Sequence, residues 1–388
     1  NAAVTQNKIA WVPSGVYKVS SLTLPKNVSV SGGGTQSYVQ GRILMSSGDY
    51  ITDLKLGIAG QSIGITNSEP VTGLNVERVH FVGGGGTNDQ DMKHVFSIQT
   101  EALNNSTFTD CTIETNSGAW GNGIAIADNG VASSTLHDVT FLRLHIMPQP
   151  RMGFEMIGRS YLGVRTTDYY NIKIIDSIIE PSGSESISFD GPGRDLLVQG
   201  SLFKGSGTNS YYPWHQGLEF NGSTKATAIN NTFNRSDGVW LNLHCNNCTF
   251  ENNYFDNTVN NLNSTPTSDP TGWGGQCINC IFKDNQMVMG IGGSFFSLDT
   301  ASTGNQFVGN VFWNKKNPTT VCAIYLYNSS TGNVLQSNKF YYKYQWYSDN
   351  KLCMDVRDGS TISEISNEYN SPTSVPVLNP PPLPGLNY

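Results

Sequence analysis

Three acidic residues occur in the same local pattern at distant places in the chain. Glu155, Asp190 and Glu219 each lie in a short segment in which apolar and polar residues alternate, as in F-E-M, I-S-F-D and L-E-F. A period of two is typical of a strand with one buried face, so we expect these carboxylates on the outer face of a sheet. Two carboxyl groups at a suitable distance hydrolyse glycosidic bonds, because one protonates the leaving oxygen while the other activates water. The pattern therefore raises glycoside hydrolysis as a hypothesis.

An alignment of five such segments indicates that the acidic residues are close in space. The aligned apolar pairs are Ile124/Ile126, Phe154/Met156, Ile187/Phe189, Leu218/Phe220 and Val239/Leu241. The outward residues then form one column of Ala125, Glu155, Ser188, Glu219 and Trp240 and a second of Ala127, Ile157, Asp190, Asn221 and Asn242. On this alignment Asp190 lies one strand and two residues from both Glu155 and Glu219, a backbone separation of roughly 8 Å. Inverting glycosidases place their carboxyl groups roughly 6.5–9.5 Å apart, so we predict that these three residues are catalytic.

Side chains near these carboxylates favour a sugar substrate. Flat faces on which sugar rings pack are offered by Trp240, Trp214, Tyr211 and Tyr212. Hydrogen bonds to hydroxyl groups are offered by His215, Asn221 and Asn242, and a cation for an acidic sugar by Arg151. The alternative is that these are ordinary residues of an exposed sheet and that the tryptophans make subunit contacts. A second acidic region, Asp355 to Asp358, is a weaker candidate for the site.

A recurring pattern, apolar-x-x-Asn-x-aromatic, must position these strands. Its copies end at Phe233, Phe255, Met287, Phe312 and Phe340, and a weaker copy ends at Tyr369. The same frame, with a small or apolar residue in place of Asn, continues backward through Ser201, Ser177, Leu142, Cys111, Val79 and Leu54. Successive frame positions are 22 to 35 residues apart. A fixed unit with variable spacing is typical of a solenoid whose loops differ in length.

The local period decides which solenoid is expected. The segments between turns alternate apolar and polar residues and are punctuated by Gly and Asn, which favours strands over helices. We predict an all-β fold, a right-handed single-stranded parallel β-helix of about twelve rungs, with rungs about 4.8 Å apart. The recurring Asn residues are expected to form an internal ladder in which each amide hydrogen-bonds to the next rung. We assign residues 1–370 to one β-helix domain.

The cysteines show two repeated spacings. Cys245 and Cys248 are three positions apart, as are Cys277 and Cys280, and this spacing resembles that of a four-cysteine zinc site. However, Cys248 and Cys280 each lie two residues before a Phe, so they occupy equivalent positions in adjacent rungs. We expect a ladder of small buried side chains, with no metal and no cofactor, and a disulfide and a zinc site remain the alternatives. The odd total of seven cysteines is consistent with assembly in a reducing cytosol.

Composition excludes several classes of partner. The net charge is −7 and the pI is near 5.4, with no basic cluster, so we expect no nucleic-acid partner. No apolar run has the length of a membrane span, so we expect no membrane insertion. Residues 371–388 contain six prolines and no period, and we expect an extended C-terminal tail that lies along a neighbour or leads to a further domain.

The start of the chain resembles a known superfamily. Residues 8–34 contain W-V-P-S-G-V-Y followed by L-T-L-P-K-N-V-S-V-S-G, which is similar to the opening rung of pectate-lyase-like β-helix proteins. Together with the long rungs, the cysteines and the late tail, the chain resembles a bacteriophage tailspike of the polysaccharide-depolymerase type. That resemblance implies a homotrimer in the virion tail that acts on a capsule or O-antigen polysaccharide, a secreted protein being the alternative. The adjacent aspartates and the Arg-x-Lys phrase of galacturonan hydrolases are missing from this sequence.

Three functions follow from these observations. The preferred one is an endo-acting glycoside hydrolase of the tailspike type that uses paired carboxylates. A polysaccharide lyase on the same fold is the second, and it would take its base and its cationic group from Tyr211, Tyr212, His215 and Arg151. The third is a glycan-binding fibre without catalytic activity.

Overall fold

The structure is a computed structural model. It describes residues 9–58, 63–67, 70–86, 94–100, 102–115, 121–127, 135–157, 168–205, 216–234, 239–257, 272–274, 277–289, 296–298, 302–314, 324–326, 328–342, 354–370 and 375–385. Every regular element in these ranges is a strand. Among them, no helix has the length and apolar character needed to cross a membrane.

The chain divides into two compact units. The first comprises residues 1–183, 187–193 and 384–388. Its strands are β1 (Ile9–Val12), β2 (Gly15–Thr23), β3 (Ser29–Leu44), β4 (Tyr50–Gly57), β5 (Ile63–Asn67), β6 (Val71–Thr72), β7 (Asn75–Gly83), β8 (Phe96–Thr100), β9 (Ala102–Thr109), β10 (Thr112–Thr115), β11 (Ile124–Ala127), β12 (Thr135–Leu142), β13 (His145–Ile146), β14 (Phe154–Ile157), β15 (Asp168–Ile175), β16 (Ile178–Ile179) and β17 (Ile187–Asp190). The expectation of a single domain over residues 1–370 stays a prediction.

The second unit comprises residues 184–186 and 194–383. After β18 (Gly193–Arg194), its strands are β19 (Leu197–Gln199), β20 (Leu202–Phe203), β21 (Gln216–Thr224), β22 (Thr227–Ile229), β23 (Thr232–Asn234), β24 (Val239–Asn246), β25 (Thr249–Glu251), β26 (Tyr254–Asn257), β27 (Gly272–Gly274), β28 (Ile281–Lys283), β29 (Gln286–Met289), β30 (Phe296–Leu298), β31 (Gln306–Val308), β32 (Val311–Asn314), β33 (Ile324–Leu326), β34 (Asn333–Gln336), β35 (Lys339–Tyr342), β36 (Met354–Val356), β37 (Ile362–Ile365) and β38 (Glu368–Asn370).

Strand pairing confirms the predicted fold class. In the first unit β5, β8, β11, β14 and β17 form one parallel stack, β9, β12 and β15 form another, and β4, β7, β10, β13 and β16 form a third. In the second unit the stacks are β21–β24–β27–β30–β33–β36, β19–β22–β25–β28–β31–β34–β37 and β20–β23–β26–β29–β32–β35–β38. Each turn of the chain, here called a rung, therefore contributes one strand to each of three stacks. This is the arrangement of a parallel β-helix.

The predicted asparagine ladder is present at the corner between the second and third strands of six successive rungs in the second unit. It consists of the buried or nearly buried side chains of Asn231, Asn253, Asn285, Asn310, Asn338 and Asn367. Asn285 is representative. Its Oδ1 accepts hydrogen bonds from the backbone N–H and the side-chain amide of Asn253, at 2.9 and 3.0 Å. Its Nδ2 donates to the carbonyl of Phe250 at 2.8 Å and to Oδ1 of Asn310 at 3.0 Å. Both donors and both acceptor positions of the amide are therefore used.

One frame position from the sequence is wrong. The residue equivalent to Cys111 and Ser177 is Leu144 and not Leu142, because the backbone N–H of His145 donates to Cys111 and that of Ile178 donates to Leu144. Leu142 is the last residue of β12, and Arg143 makes the bend with a positive φ of 51°. The apolar residues on either side of the bend resemble each other, so the pattern alone did not distinguish them.

A second asparagine ladder, formed by Asn305 and Asn333, was not foreseen, and it lies at the corner between the first and second strands of rungs in the second unit. The backbone N–H of Cys280 donates to Oδ1 of Asn305 at 2.9 Å, and that of Asn305 donates to Oδ1 of Asn333 at 3.1 Å. Serine hydroxyls form a parallel row. The hydroxyl of Ser302 accepts from the backbone N–H of Cys277, and that of Ser330 accepts from the backbone N–H of Ser302. Between the two corners, stacked rings such as Phe250, Phe282 and Phe307, with centroids 4.9 and 4.6 Å apart, fill the interior.

The C-terminal segment contacts its own chain. Residues 375–385 carry no regular secondary structure. The side chain of Gln286 donates to the carbonyl of Asn379 at 2.8 Å and accepts from its N–H at 2.7 Å. The segment therefore lies against β29 of the same chain at Asn379, and the expectation that it is an extended tail along a neighbour or toward a further domain stays a prediction.

The ladder predicts a large effect of one substitution. Asn285→Ala removes the bonding partners of a buried N–H and a buried carbonyl, and each unpaired group costs about 1–3 kcal/mol. We expect the free energy of unfolding to fall by roughly 2–5 kcal/mol, measured by denaturant unfolding or by the unfolding rate. Asn234→Ala, at an exposed position of β23, is the control and should change it by about 0.5 kcal/mol or less. Equal effects of the two substitutions would contradict the role of the ladder.

A buried carboxyl predicts a pH dependence of stability. Asp49 is fully buried and accepts hydrogen bonds from the backbone N–H groups of Ser46 at 2.7 Å and Val28 at 3.2 Å. Burial raises its pKa from 3.8 to about 6, although the two hydrogen bonds oppose the shift. The folded state thus binds the proton of Asp49 more tightly than the unfolded state. The protonated carboxyl therefore contributes its full stabilisation below pH 3.8, and this stabilisation is lost as the pH rises through about 6. Asp49→Asn should flatten the unfolding free energy between pH 4 and pH 6.5, on the order of 2–3 kcal/mol, and an unchanged slope would refute the assignment.

Candidate functional site

Strand register confirms the predicted alignment in the first unit. Phe154 on β14 pairs with Ile124 on β11 and with Ile187 on β17. Glu155 therefore lies beside Ser188, and Asp190 lies beside Ile157. The two acidic residues are one strand and two residues apart, as the sequence predicted, and this corresponds to a backbone separation of roughly 8 Å.

The alignment of β24 in the second unit is wrong by two residues. Leu218 and Phe220 pair with Leu241 and Leu243, so the neighbour of Glu219 is Asn242 and not Trp240. Asn221 likewise lies beside His244 rather than Asn242. The strand reads V-W-L-N-L-H-C, in which the apolar alternation continues for several residues. A shift by two residues keeps every side chain on its face, so the pattern did not determine the register.

Glu155 is more buried than expected for an outer strand position. Only 6% of the residue is exposed to solvent. Nη1 of Arg151 lies 2.7 Å from Oε2 of Glu155, and the side-chain amide of Asn122 donates to the same oxygen. A buried carboxylate requires such partners, because an unpaired charge is costly away from water. The sequence placed Arg151 near Glu155 correctly but did not show that the pair is shielded.

Asn122 and His94 complete the surroundings of Glu155, and both were missed by the sequence analysis. Oδ1 of Asn122 accepts from Arg151 at 3.2 Å and from the backbone N–H of Met152 at 3.3 Å. The backbone N–H of Asn122 donates to Nδ1 of His94 at 3.1 Å. Burial lowers the pKa of His94, with Glu155 acting in the opposite direction, so the ring is neutral near pH 7. Because Nδ1 is an acceptor here, the proton of the neutral ring is assigned to Nε2.

The position of these two residues explains why they were missed. His94 precedes the first residue of β8 by two positions, and Asn122 precedes the first residue of β11 by two positions. They lie in the turns before the strands, whereas the alignment considered only alternating residues on the strands. The sequence did contain a usable signal, because His94 and Asn122 are polar residues that each lie two positions before the first apolar residue of successive stacked strands.

The remaining candidates are placed as follows. Glu219 and Asn221 are half-buried residues of β21 in the second unit, and Asp190 is half-buried in the first. Trp240 and Asn242 lie on β24 and Asp355 lies on β36, but their side chains are outside the described residues, and Asp358 lies in the exposed turn that follows β36. Tyr211, Tyr212, Trp214 and His215 lie outside the described residues altogether.

Comparison with solved structures finds the same fold in proteins of very different sequence. The catalytic domain of Agl-KA matches with a TM-score of 0.53 and 11% identity over 94% of this chain and 64% of that one. The tailspike of Escherichia coli bacteriophage HK620, solved with a hexasaccharide, matches with a TM-score of 0.49 and 11% identity over 94% of this chain and 73% of that one. Tailspike protein 2 of the E. coli O157:H7 bacteriophage CAB120 matches with a TM-score of 0.45 and 12% identity over 94% of this chain and 43% of that one.

The likeness to the Agl-KA catalytic domain agrees with the fold that the strand pairing shows. Phage tailspike proteins are among the structures that match. The chain spans less than two thirds of the length of the Agl-KA domain and of tailspike protein 2. No protein-family model matches the sequence, and no curated protein sequence does.

The shielded pair of Arg151 and Glu155 predicts an asymmetric response to mutation. Arg151→Leu leaves the Glu155 carboxylate buried without its cation, and breaking a buried pair from one side costs about 3–5 kcal/mol. We expect a corresponding loss of thermal stability at neutral pH. The double variant Arg151→Leu/Glu155→Gln removes the unpaired charge and should regain most of that loss. The parent and both variants are compared by calorimetry. An Arg151→Leu variant as stable as the parent would show that the pair is not shielded in solution.

Proposed function

We propose that this chain is a tailspike-type depolymerase that hydrolyses glycosidic bonds of a bacterial surface polysaccharide, either capsule or O-antigen. The observation that carries the proposal is the register of β14 and β17, which gives Glu155 and Asp190 a backbone separation of roughly 8 Å on the same face of the sheet. Carboxyl groups at about this separation leave room for a water molecule between one of them and the anomeric carbon, as in inverting glycosidases.

The surroundings of the two residues suggest separate roles. Glu155 is held by Arg151 and Asn122, and a carboxylate fixed in this way suits the removal of a proton from the attacking water. Asp190 is half-buried on the neighbouring strand, where it is proposed to protonate the leaving oxygen. The water adds to the anomeric carbon as the glycosidic bond breaks, so the proton lost to Glu155 is matched by the one delivered from Asp190.

The second unit carries its own candidate groups. We propose Glu219 as a further catalytic carboxylate, with Asn221 two residues along the same strand and Asn242 on the neighbouring strand as sugar-binding groups. Trp240, Trp214, Tyr211, Tyr212 and His215 are proposed to bind sugar because of their residue types and their nearness to Glu219 in the sequence.

The assembly and location belong to the same proposal. A homotrimer in the virion tail is supported by the resemblance of residues 8–34 to the first rung of the superfamily and of the whole pattern to tailspikes. A lyase and a noncatalytic fibre remain as alternative outcomes, and the products formed from a polysaccharide distinguish them.

The test uses amide variants that preserve size and remove proton transfer. Glu155→Gln and Asp190→Asn should each lower the rate of cleavage by about 10²–10⁴, since general acid–base catalysis contributes that much. Purified protein is incubated with a panel of bacterial capsules and O-antigens, and the oligosaccharides released are measured by mass spectrometry. Glu180→Gln is the matched control, because Glu180 is a half-buried carboxylate of the same unit that pairs with His145 at 3.2 Å.

The outcomes separate the three functions. Saturated oligosaccharides from the parent and the control, with little from the two amide variants, support the hydrolase. Products that carry an unsaturated uronate at one end would identify a lyase instead. Binding without any release of oligosaccharide would identify a fibre, and parent-like cleavage by both amide variants would remove Glu155 and Asp190 from the site.

A further inference from the structure

Four cysteines of the second unit meet at one corner of two adjacent rungs. The bridge between Asn246 and Ile278 makes Cys245 equivalent to Cys277. The pairing of Thr249 with Ile281 makes Cys248 equivalent to Cys280, as the sequence predicted. All four residues are at least 96% buried, since their exposed fractions are between 0 and 4%.

The backbone turns both cysteines of each rung toward the interior. Asn247 and Asn279, which directly precede Cys248 and Cys280, have φ angles of 53° and 54°. A residue in this left-handed region bends the chain sharply, and Asn adopts it more readily than most residues. Each C-x-N-C segment is therefore a tight bend with a thiol on either side.

The positions of the sulfur atoms go beyond what a ladder requires. In a simple ladder each thiol contacts its equivalent in the next rung, so the two rows stay separate. Here Sγ of Cys245 lies 3.6 Å from Sγ of Cys280, which belongs to the other row. The Sγ atoms of Cys245, Cys277 and Cys280 all lie within 4.8 Å of one another. The two rows thus converge on one point.

This distance does not fit a disulfide. A disulfide bond joins its sulfurs at about 2.05 Å, and the four cysteines here are free thiols. It does fit a shared metal ion, because zinc binds thiolate sulfur at about 2.3 Å, and two ligands of a tetrahedral site are then about 3.8 Å apart.

We propose that Cys245, Cys277 and Cys280, with Cys248 as the fourth ligand, form a structural site for one zinc ion inside the second unit. Cys248 belongs to the same C-x-N-C bend, and its sulfur contacts the carbonyls of Ser223 at 3.9 Å and Asn246 at 3.6 Å. Its thiol also interacts with the thiols of Cys245 and Cys280, so it is the fourth sulfur available to the same ion. The convergence of the sulfurs is the reason for replacing our initial expectation of a ladder without metal.

Cys111 of the first unit is a buried thiol outside the cluster, and burial raises its pKa to about 12. Zinc would stabilise the thiolates of the cluster and release their protons, so loading depends on pH.

The buried position determines how such an ion would enter. With almost no exposed surface at the four thiols, zinc must bind while the rungs form, and it then remains enclosed. The ion would tie two rungs together at the corner where the asparagine side chains of the second ladder, Asn305 and Asn333, begin one rung later. The expected consequence is slower unfolding of the second unit, and this role is independent of any activity on glycans.

The experiment measures metal and thiols in the full chain. The parent, Cys280→Ser and Cys111→Ser are produced in medium supplemented with zinc chloride and then with cobalt chloride, and the bound metal is measured by mass spectrometry. We expect about one zinc ion per chain in the parent and in Cys111→Ser, and at least about tenfold less in Cys280→Ser. The cobalt form of the parent should show sulfur-to-metal charge-transfer absorption.

Each contrary result overturns the proposal. A parent without metal that exposes all seven thiols on unfolding would show a plain thiol ladder. A parent that exposes fewer thiols until a reductant is added would show a disulfide. Zinc retained by Cys280→Ser would place the ion elsewhere. If Cys280→Ser does not fold, the metal content and cobalt spectrum of the parent decide the question.

Discussion

The structure depends on one constraint, which is that a polar group buried at a corner of a rung must find its hydrogen-bond partners within its own rung or in the neighbouring rungs. The carboxamide of Asn satisfies this condition in full, because it has two donors and an oxygen with two acceptor positions. At Asn285 all four are used by Asn253, Phe250 and Asn310. The same side chain can therefore repeat in successive rungs, and each copy fixes the position of the next rung along the stack.

The candidate site follows from the same stacking. Residues about 30 positions apart in sequence become direct neighbours at a spacing of about 4.8 Å, so a carboxylate on one strand acquires partners from the rung before it. Glu155 obtains Asn122 in this way, and Arg151 reaches it from within its own rung. The thiols obey the same rule, since Cys245 and Cys280 come from different rungs. Functional groups in this fold are thus assembled from side chains of successive rungs rather than from one local sequence motif.

Much of the fold was predictable because the hydrogen-bonding constraint requires particular residue types at a regular spacing in the sequence. The spacing of Asn relative to the aromatic residue two positions later indicated the ladder, and the alternation in I-A-I, F-E-M and I-S-F indicated the register of β11, β14 and β17. The candidate site was less predictable. His94 and Asn122 lie in turns, outside the alternating segments that were aligned, and their relation to Glu155 depends on hydrogen bonds between rungs.

The sequence by itself determined that the chain forms stacked strands, that the recurring Asn residues form an internal ladder, and that Glu155 and Asp190 lie on adjacent strands. Only the tertiary structure decided the register of β24, the burial of Glu155 and the convergence of the cysteine sulfurs. The reason is physical. A period of two reports which face a side chain occupies, but it is unchanged by a shift of two residues and says nothing about what covers that face. Burial and contact depend on the neighbouring rungs, and those are set by the packing of the whole stack.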